Sequence, residues 1–210
     1  MPELADDVAA VFAGDGPLSQ TVPDFEPREA QRQMASAVAG ALQDGGVLLA
    51  EAGTGTGKTL AYLVPAILSG QRVLVSTGTK NLQEQIVQKD LPVLAEALDK
   101  TFTATVMKGR GNYLCLHRFQ ALRTGGLPRQ QRLGGFGGRG NEVDERILLP
   151  ILDAWASRTE TGDRAELDEL PEDLPLWSDI SASAENCLGT ECPQYRECFV
   201  TRMRERAAAS

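Results

Sequence analysis

Residues 51–59 read Glu51-Ala52-Gly53-Thr54-Gly55-Thr56-Gly57-Lys58-Thr59, and this stretch predicts a phosphate-binding loop. An apolar run at 47–50 precedes it and a helix-like run at 60–64 follows it, so the loop would join a strand to a helix. Its glycines allow successive backbone N–H groups to point toward a phosphate without a Cβ in the way. Ala52 stands where the motif usually begins with glycine, at a position that mainly sets the turn into the loop. The stretch therefore predicts a nucleoside triphosphate ligand.

The last two residues of the loop carry its chemistry. Lys58 is expected to reach the β and γ phosphates of ATP, and the hydroxyl of Thr59 is expected to bind Mg²⁺. A glycine-rich connection without a ligand is the alternative, and the flanking segments make it the less favoured interpretation.

The segments around the loop predict an α/β fold. Short apolar or β-branched runs alternate with helical patterns, which is typical of a parallel sheet in a three-layer domain. The predicted strands are 47–51, 72–76 and 102–107, and the predicted helices are 28–42, 59–68 and 80–89.

Composition divides the chain into four parts. Residues 1–24 are acidic and interrupted by glycine and proline, so we expect a flexible lead-in, followed by an α/β half-domain at 25–108. Residues 109–200 form a second domain, with a basic glycine-rich loop at 124–140, and 201–210 begin a helix that we expect to be truncated.

Charge is distributed unevenly. The formal net charge is −8, yet residues 101–140 contain seven basic side chains and no acidic one. Local positive potential is what binds a nucleic-acid backbone, so this segment predicts contact with DNA. A solvated basic face, balanced by the acidic segment after it, is the alternative.

The acidic start does not resemble a secretory signal peptide, and the apolar run 60–68 is too short for a transmembrane helix. We therefore expect a cytoplasmic location. Cysteines in that compartment are thiols or metal ligands more often than disulfides.

Four cysteines suggest a metal centre. They are separated by 71, 4 and 5 residues and comprise Cys115, Cys187, Cys192 and Cys198. Four thiolates suit an iron–sulfur cluster or zinc, and the absence of a tight Cys-x-x-Cys pair favours the cluster. Unrelated buried thiols remain the third possibility. His117, the sole histidine, is not expected to be a ligand.

Together these motifs resemble the iron–sulfur DNA helicases of superfamily 2, of the XPD and DinG type, and most closely the bacterial YoaA-like branch. The resemblance begins at Phe25 and covers nearly all the chain after it. Its segments are 25–31, similar to the adenine-reading Q motif; 51–59, motif I; 76–79 with Leu82 and Gln85, motif Ia; 107–115, the lead-in to the first cluster ligand; and 186–199, with the other three ligands.

The resemblance implies a RecA-like P-loop sheet with an inserted, mostly helical iron–sulfur domain. It also implies ATP-driven 5′ to 3′ movement on single-stranded DNA, with ATP, Mg²⁺ and a 4Fe-4S cluster as cofactors. Arg28 and Gln31 would bind the nucleotide, the four cysteines the cluster, and Thr77, Thr79, Lys108 and Arg110 the DNA. Expected partners are single-stranded or forked DNA and replication or repair proteins; we expect a monomer without a membrane partner.

One family motif is absent from the 210 residues, namely the Asp-Glu-Ala-His box that holds Mg²⁺ and orients water. We therefore expect the chain to be truncated before this box, to bind nucleotide and not to hydrolyse ATP alone. The alternative function is a non-catalytic module that binds zinc or iron–sulfur and DNA or protein, with a vestigial nucleotide site. A small P-loop kinase is a weaker third interpretation, because the glycine-rich segment makes a poor lid.

Overall fold

The computed structural model of the chain describes residues 3–125, 145–171 and 174–210. It divides into two units, Met1–Ala104 and Thr105–Ser210, and each has its own hydrophobic core. Most of the predicted glycine-rich loop at 124–140 lies outside the described residues. Among the helices that the structure describes, none combines the length and the hydropathy needed to cross a membrane.

The described part of the first unit is helical. Its elements are α1 (Leu4–Val11), α2 (Pro17–Thr21), α3 (Glu29–Asp44), α4 (Lys58–Leu68), α5 (Lys80–Gln85), a π-helical turn (Ile86–Asp90) and α6 (Leu91–Leu98). Helix α3 packs against α1 and α4, and small buried residues such as Ala39 and Ala61 permit the close approach. This packing fixes the start of α4, where the phosphate loop ends.

The N-terminal segment differs from the expected flexible lead-in. Val8, Val11 and Phe12 lie at helical spacing and are buried in the first core, while the acidic Asp6 and Asp7 remain exposed. Gly16 permits the tight turn into α2, because a Cβ there would lie 2.3 Å from the carbonyl oxygen of Ala10. The acidic residues led to the prediction of a flexible segment. They lie only on the solvent face of an amphipathic helix, whose other face is apolar.

The predicted strands are the main correction to the expected fold. Residues 47–51, 72–76 and 102–107 are not paired into a sheet in the described structure, and Val47 and Leu49 are 90% and 91% exposed. Strand propensity describes how a residue fits a paired, half-buried surface, and it does not by itself supply the neighbouring strand. The described first unit is therefore helical where a three-layer α/β arrangement was expected.

The second unit is built around aromatic side chains. Its helices are α7 (Leu116–Arg123), α8 (Glu145–Ala156), α9 (Pro175–Ile180) and α10 (Phe199–Ala209), with short 3₁₀ turns at Arg110–Asn112, Arg164–Glu166 and Gly189–Glu191. Trp155 and Trp177 are buried with ring centroids 6.1 Å apart and planes inclined at 56°. Isolated antiparallel bridges join Tyr113 to Asp163 and Leu114 to Ser181. These contacts hold the segment that leads to Cys115.

Candidate nucleotide site and cysteine region

The phosphate loop ends at the N-terminus of α4. Gly55 and Gly57 adopt left-handed backbone conformations, with φ of 76° and 79°, which glycine reaches without steric cost. Helix α4 begins at Lys58, directly after Gly57. The first N–H groups of a helix have no partner within it and carry the positive end of its dipole, so this end of the loop suits an anion.

Lys58 lies across the loop that precedes it. Its ammonium donates hydrogen bonds to the carbonyl oxygens of Ala52, at 2.6 Å, and Gly53, at 2.8 Å. The hydroxyl of Thr56 donates to the same Gly53 oxygen at 3.0 Å. These bonds hold Lys58, the one cation of the loop, against the backbone that would bind phosphate oxygens.

Arg28 and Gln31 also contact the loop. Gln31 is 4% exposed, and its side-chain amide donates to the carbonyl oxygen of Gly57 at 3.0 Å. A Cβ at position 57 would lie 2.1 Å from that amide nitrogen, so the approach requires glycine. The guanidinium of Arg28 donates to the carbonyl oxygen of Gly55. Both residues were expected to bind the nucleotide, and the structure brings them to the backbone of the phosphate loop.

Tyr62 belongs to the same site, although the sequence motifs did not indicate it. It follows Thr59 by one turn on α4, on the same face of the helix. Burial raises the pKa of Tyr62; the hydrogen bond to Thr59 lowers it, and the negative charge of Asp90 raises it further. The spacing of three residues on a helix could have suggested the contact with Thr59, but nothing local pointed to Asp90.

The residues expected to contact DNA have different environments. Thr77 and Thr79 precede α5, where Thr79 is exposed and its backbone N–H lies 3.4 Å from the Thr77 hydroxyl. Arg110 is half-buried in a 3₁₀ turn of the second unit, and its charge acts on the exposed carboxylate of Glu185. These positions leave the three side chains accessible from solvent, wholly or in part.

Lys108 differs from its expected role. Its side chain is 8% exposed, its ammonium pairs with Asp163 at 2.7 Å, and its backbone N–H donates to the Tyr113 hydroxyl at 3.1 Å. A neutralised, buried cation presents little positive potential to a phosphate backbone. The structure thus gives Lys108 an internal role, because Asp163, far along the chain, lies beside it.

The cysteine region comprises Cys115, Cys187, Cys192 and Cys198. Cys115 precedes α7 and donates its backbone N–H to the Ile180 carbonyl at 2.8 Å. Burial raises the pKa of Cys115; the backbone hydrogen bond from Arg118 lowers it, and the charges of Cys192 and Cys198 raise it. Three of the four sulfur atoms are therefore electrostatic neighbours, whereas Cys187 is exposed.

Two contacts bring the last cysteines toward the first. The side-chain amide of Gln194 donates to that of Gln120 on α7 at 3.1 Å, and Phe199, which follows Cys198, is buried against Gly162. Within the described residues, however, no three histidine, cysteine or acidic side chains are arranged so that they could hold a metal ion. Four soft thiolates fit an iron–sulfur cluster or zinc by donor chemistry, but the described geometry does not form a complete ligand set.

A glycine loop ending at a helix N-terminus, with Lys58 across it and Thr59 behind it, defines a nucleotide-binding protein of the P-loop class. Comparison with known proteins narrows this class. The sequence profile described as DEAD/DEAH box helicase matches residues 28–112, which contain Arg28, Gln31 and the whole loop. Residues 28–112 therefore match a DEAD/DEAH box helicase domain, which implies a site for ATP and Mg²⁺.

Curated relatives match most of the chain. It is 43% identical over 198 residues to the ATP-dependent DNA helicase YoaA of Escherichia coli, a match that covers 93% of this chain and 29% of that protein. It is 42% identical over 202 residues to YoaA of Haemophilus influenzae, a match that covers 95% of this chain and 29% of that protein. It is 40% identical over 200 residues to the ATP-dependent helicase DinG of Mycobacterium tuberculosis, covering 86% and 28%. The chain thus spans under a third of the length of these relatives.

Proposed function

We propose that this chain is the nucleotide-binding and cysteine-bearing part of an ATP-dependent DNA helicase that moves 5′ to 3′ on single-stranded DNA. The observation that carries the proposal is the phosphate loop, in which Lys58 bonds to the carbonyl oxygens of Ala52 and Gly53 and Gln31 bonds to that of Gly57. The identity of 42–43% to proteins named as DNA helicases supports DNA as the substrate. A role in repair or replication, a cytoplasmic location and a monomeric state belong to the proposal.

The nucleotide site has a division of roles. The backbone of residues 52–59 and the Lys58 ammonium bind the phosphates, and Thr59 binds Mg²⁺. Arg28 and Gln31 hold the loop through the carbonyl oxygens of Gly55 and Gly57, so that adenine recognition and loop position would depend on the same two side chains. In the RecA-like arrangement that the family implies, the exposed segments 47–51, 72–76 and 102–107 would pair as strands.

The DNA path in this proposal begins at α5. Exposed Thr79 and half-buried Thr77 would hydrogen-bond the phosphate backbone, as uncharged side chains and backbone groups do in many complexes. Arg110 supplies positive charge in the second unit. Lys108 supports that segment through Asp163 and is not assigned a DNA contact.

We further propose that Cys115, Cys187, Cys192 and Cys198 bind a 4Fe-4S cluster. The proximity of Cys192 and Cys198 to Cys115, which raises the pKa of Cys115 beyond the effect of burial, supports a common centre, and the exposed Cys187 would complete it by a local movement. When bound, the cluster supplies a rigid inorganic cross-link, which would order the chain between the distant ligands.

A second candidate function is a non-catalytic metal-binding module that contacts DNA or protein and has a vestigial nucleotide site. Four thiolates, which suit zinc as well as an iron–sulfur cluster, favour it. The intact contacts of Lys58 and Gln31 favour the helicase, because a vestigial loop would have no reason to keep them.

The deciding experiment measures binding of a fluorescent ADP analogue with Mg²⁺. We expect Lys58→Ala to weaken binding at least tenfold, since charge-assisted hydrogen bonds to phosphate are worth about 1.5–3 kcal/mol. Lys100→Ala, which removes an exposed lysine of the same unit, is the matched control and should bind normally. Equal affinities for all three proteins, or steady phosphate release from ATP by the wild-type chain, would contradict the assigned roles.

Metal analysis separates the two candidate functions. Anaerobically purified protein should contain iron and acid-labile sulfide, with visible absorption typical of a cluster. Zinc in place of iron would favour the non-catalytic module, and a metal-free protein would mean that the cysteine proposal is wrong.

A further inference from the structure

The N-terminal segment, residues 4–25, packs against both helices that form the nucleotide site. Helix α1 of this segment contacts α3, which carries Gln31, and α4, which begins at Lys58. Val8 and Phe12 of the segment are fully buried in the core that the three helices share. Apart from Gln31, the buried residues of α3 are alanines, so the larger buried side chains in the contact between α1 and α3 come from α1.

Two contacts fix the N-terminal segment along the length of α3. At one end, the backbone N–H of Leu4 donates to the side-chain oxygen of Gln43 at 3.2 Å, near the C-terminus of α3. At the other end, a Cβ on Gly14 would lie 4.0 Å from Cγ of Pro27. Pro27 directly precedes Arg28, whose guanidinium donates to the phosphate loop. The segment thus meets α3 at its C-terminal end and again just before its first turn.

The turn between α1 and α2 leaves no room for a side chain at position 16. A Cβ on Gly16 would lie 2.3 Å from the carbonyl oxygen of Ala10 and 2.8 Å from that of Val11, and both of these atoms belong to the backbone. The hydroxyl of Ser19 donates to the carbonyl oxygen of Ala13 at 2.9 Å, which also holds the turn. A single methyl group at position 16 therefore displaces the segment without altering any residue of the phosphate loop.

The contact that depends on the position of α3 is the hydrogen bond from Gln31 to the carbonyl oxygen of Gly57, at 3.0 Å. We infer that the N-terminal segment positions α3 so that Gln31 holds the phosphate loop in the conformation that binds nucleotide. Val8 and Gly16 are then positioning residues for the nucleotide, although they lie far from the loop in the sequence. The inference rests on the proposed function, because it needs the loop to bind a nucleotide.

Hydrogen-bond geometry explains why a small shift of α3 would matter. A displacement of about 1 Å would take the bond between Gln31 and Gly57 beyond the usual range of N–H···O distances. Gln31 is 4% exposed, so water has little access to replace the lost partner. A loop without this contact must be ordered when the nucleotide binds, and that ordering reduces the affinity.

The test measures the affinity of the 210-residue chain for a fluorescent ADP analogue with Mg²⁺, in the wild type, Gly16→Ala, Gln31→Ala and the double variant. We expect Gly16→Ala to weaken binding about fivefold in the wild-type background but about twofold or less in the Gln31→Ala background, because residues that act through one contact are not additive. A merely structural role for Gly16 would give the same factor in both backgrounds. Circular dichroism at the titration temperature shows that each variant is folded.

Gly40→Ala is the matched control. It adds the same methyl group to α3 itself, where no atom outside the local helix backbone lies within 4 Å of the new Cβ, and it should keep the wild-type affinity. Normal affinity in a folded Gly16→Ala, or an equal factor in both backgrounds, would overturn the inference and leave the proposed function intact. A wild-type chain that does not bind the nucleotide would overturn the proposed function as well. If Gly16→Ala does not fold, Val8→Ala, which removes buried methyl groups from α1, decides by the same comparison.

Discussion

The phosphate loop of the first unit is held by side-chain donors, whereas the cysteine region of the second unit is held mainly by the backbone around Cys115. Lys58, Gln31 and Arg28 all donate to loop carbonyl oxygens. Cys187, by contrast, is exposed. The loop closes over a few residues, while the cysteines must close a loop of 71 residues between the first two ligands. Loop closure costs conformational entropy, so the second site depends more on its ligand for completion.

The most severe test of this comparison is Cys192→Ser. We expect it to lose the metal and to loosen the second unit, because metal–thiolate binding in small sites is worth about 10 kcal/mol or more. Nucleotide affinity should stay within about twofold of the wild-type value, since the loop contacts lie within the first unit. Iron analysis and nucleotide titration check both expectations, and equal loss of the two activities would show that the sites are not separate.

Lys108→Ala tests whether the second unit depends on its internal ion pair. Removing the ammonium leaves the Asp163 carboxylate largely buried without its partner, which typically costs about 3–5 kcal/mol. Urea unfolding followed by tryptophan fluorescence reports this unit alone, because both tryptophans of the sequence, Trp155 and Trp177, lie in it.

The matched control for Lys108→Ala is Arg123→Ala. It breaks a more exposed pair with Asp153 at 3.2 Å and should cost about 1 kcal/mol or less. Similar losses in the free energy of unfolding for the two variants would contradict a structural role for Lys108. Lys108 would then again be a candidate for DNA contact.

Gly57→Ala tests how tightly the first unit fixes its loop. The new Cβ would sit in a left-handed conformation and displace the Gln31 amide, so we expect a loss of about 2–3 kcal/mol in local stability. Nucleotide affinity should fall at least tenfold, as measured by titration, and hydrogen exchange at the start of α4 should increase.

Gly70→Ala is the control for the steric part of this effect. Gly70 has a similar φ of 64°, but no atom lies within 4 Å of an added Cβ. It should lose only the backbone contribution of about 1–2 kcal/mol and retain nucleotide affinity. Normal affinity in Gly57→Ala would mean that the contact with Gln31 does not shape the loop.

The smallest expected effect concerns acid stability of the second unit. Burial raises the pKa of Glu166, but hydrogen bonds from Thr159, Thr161 and Trp155 outweigh it and leave the pKa below its ordinary value. The unfolded chain therefore binds a proton at Glu166 more readily than the folded chain does. The ionised Glu166 thus stabilises the fold above about pH 4.3, and this stabilisation is lost as the pH falls through the folded pKa. Glu166→Gln should flatten this dependence of the urea midpoint, whereas the exposed Glu160→Gln should leave it unchanged. The change is small because Glu166 is partly solvated.

Features encoded over a few neighbouring residues were predictable. Helix α4 begins where the Gly-Lys-Thr sequence indicated, and the helices around 28–42 and 80–89 occur close to their predicted places. Helix α1 was missed because Asp6 and Asp7 drew attention to charge, although Val8, Val11 and Phe12 carried the helical spacing. The strand predictions were wrong for a different reason. A strand forms only by pairing with a neighbouring strand, and its own residues do not specify that neighbour.

By itself, the sequence determined the phosphate loop, because glycine conformations, a lysine and a hydroxyl within nine residues define that chemistry before any packing. Only the tertiary structure decided that Gln31 bonds to Gly57, that Lys108 is buried against Asp163, and that the charge of Asp90 acts on Tyr62. These pairs are separated by 26 to 55 residues. Their contacts depend on which faces of the helices pack together, and that choice is made by burial of the whole core and not by any local pattern.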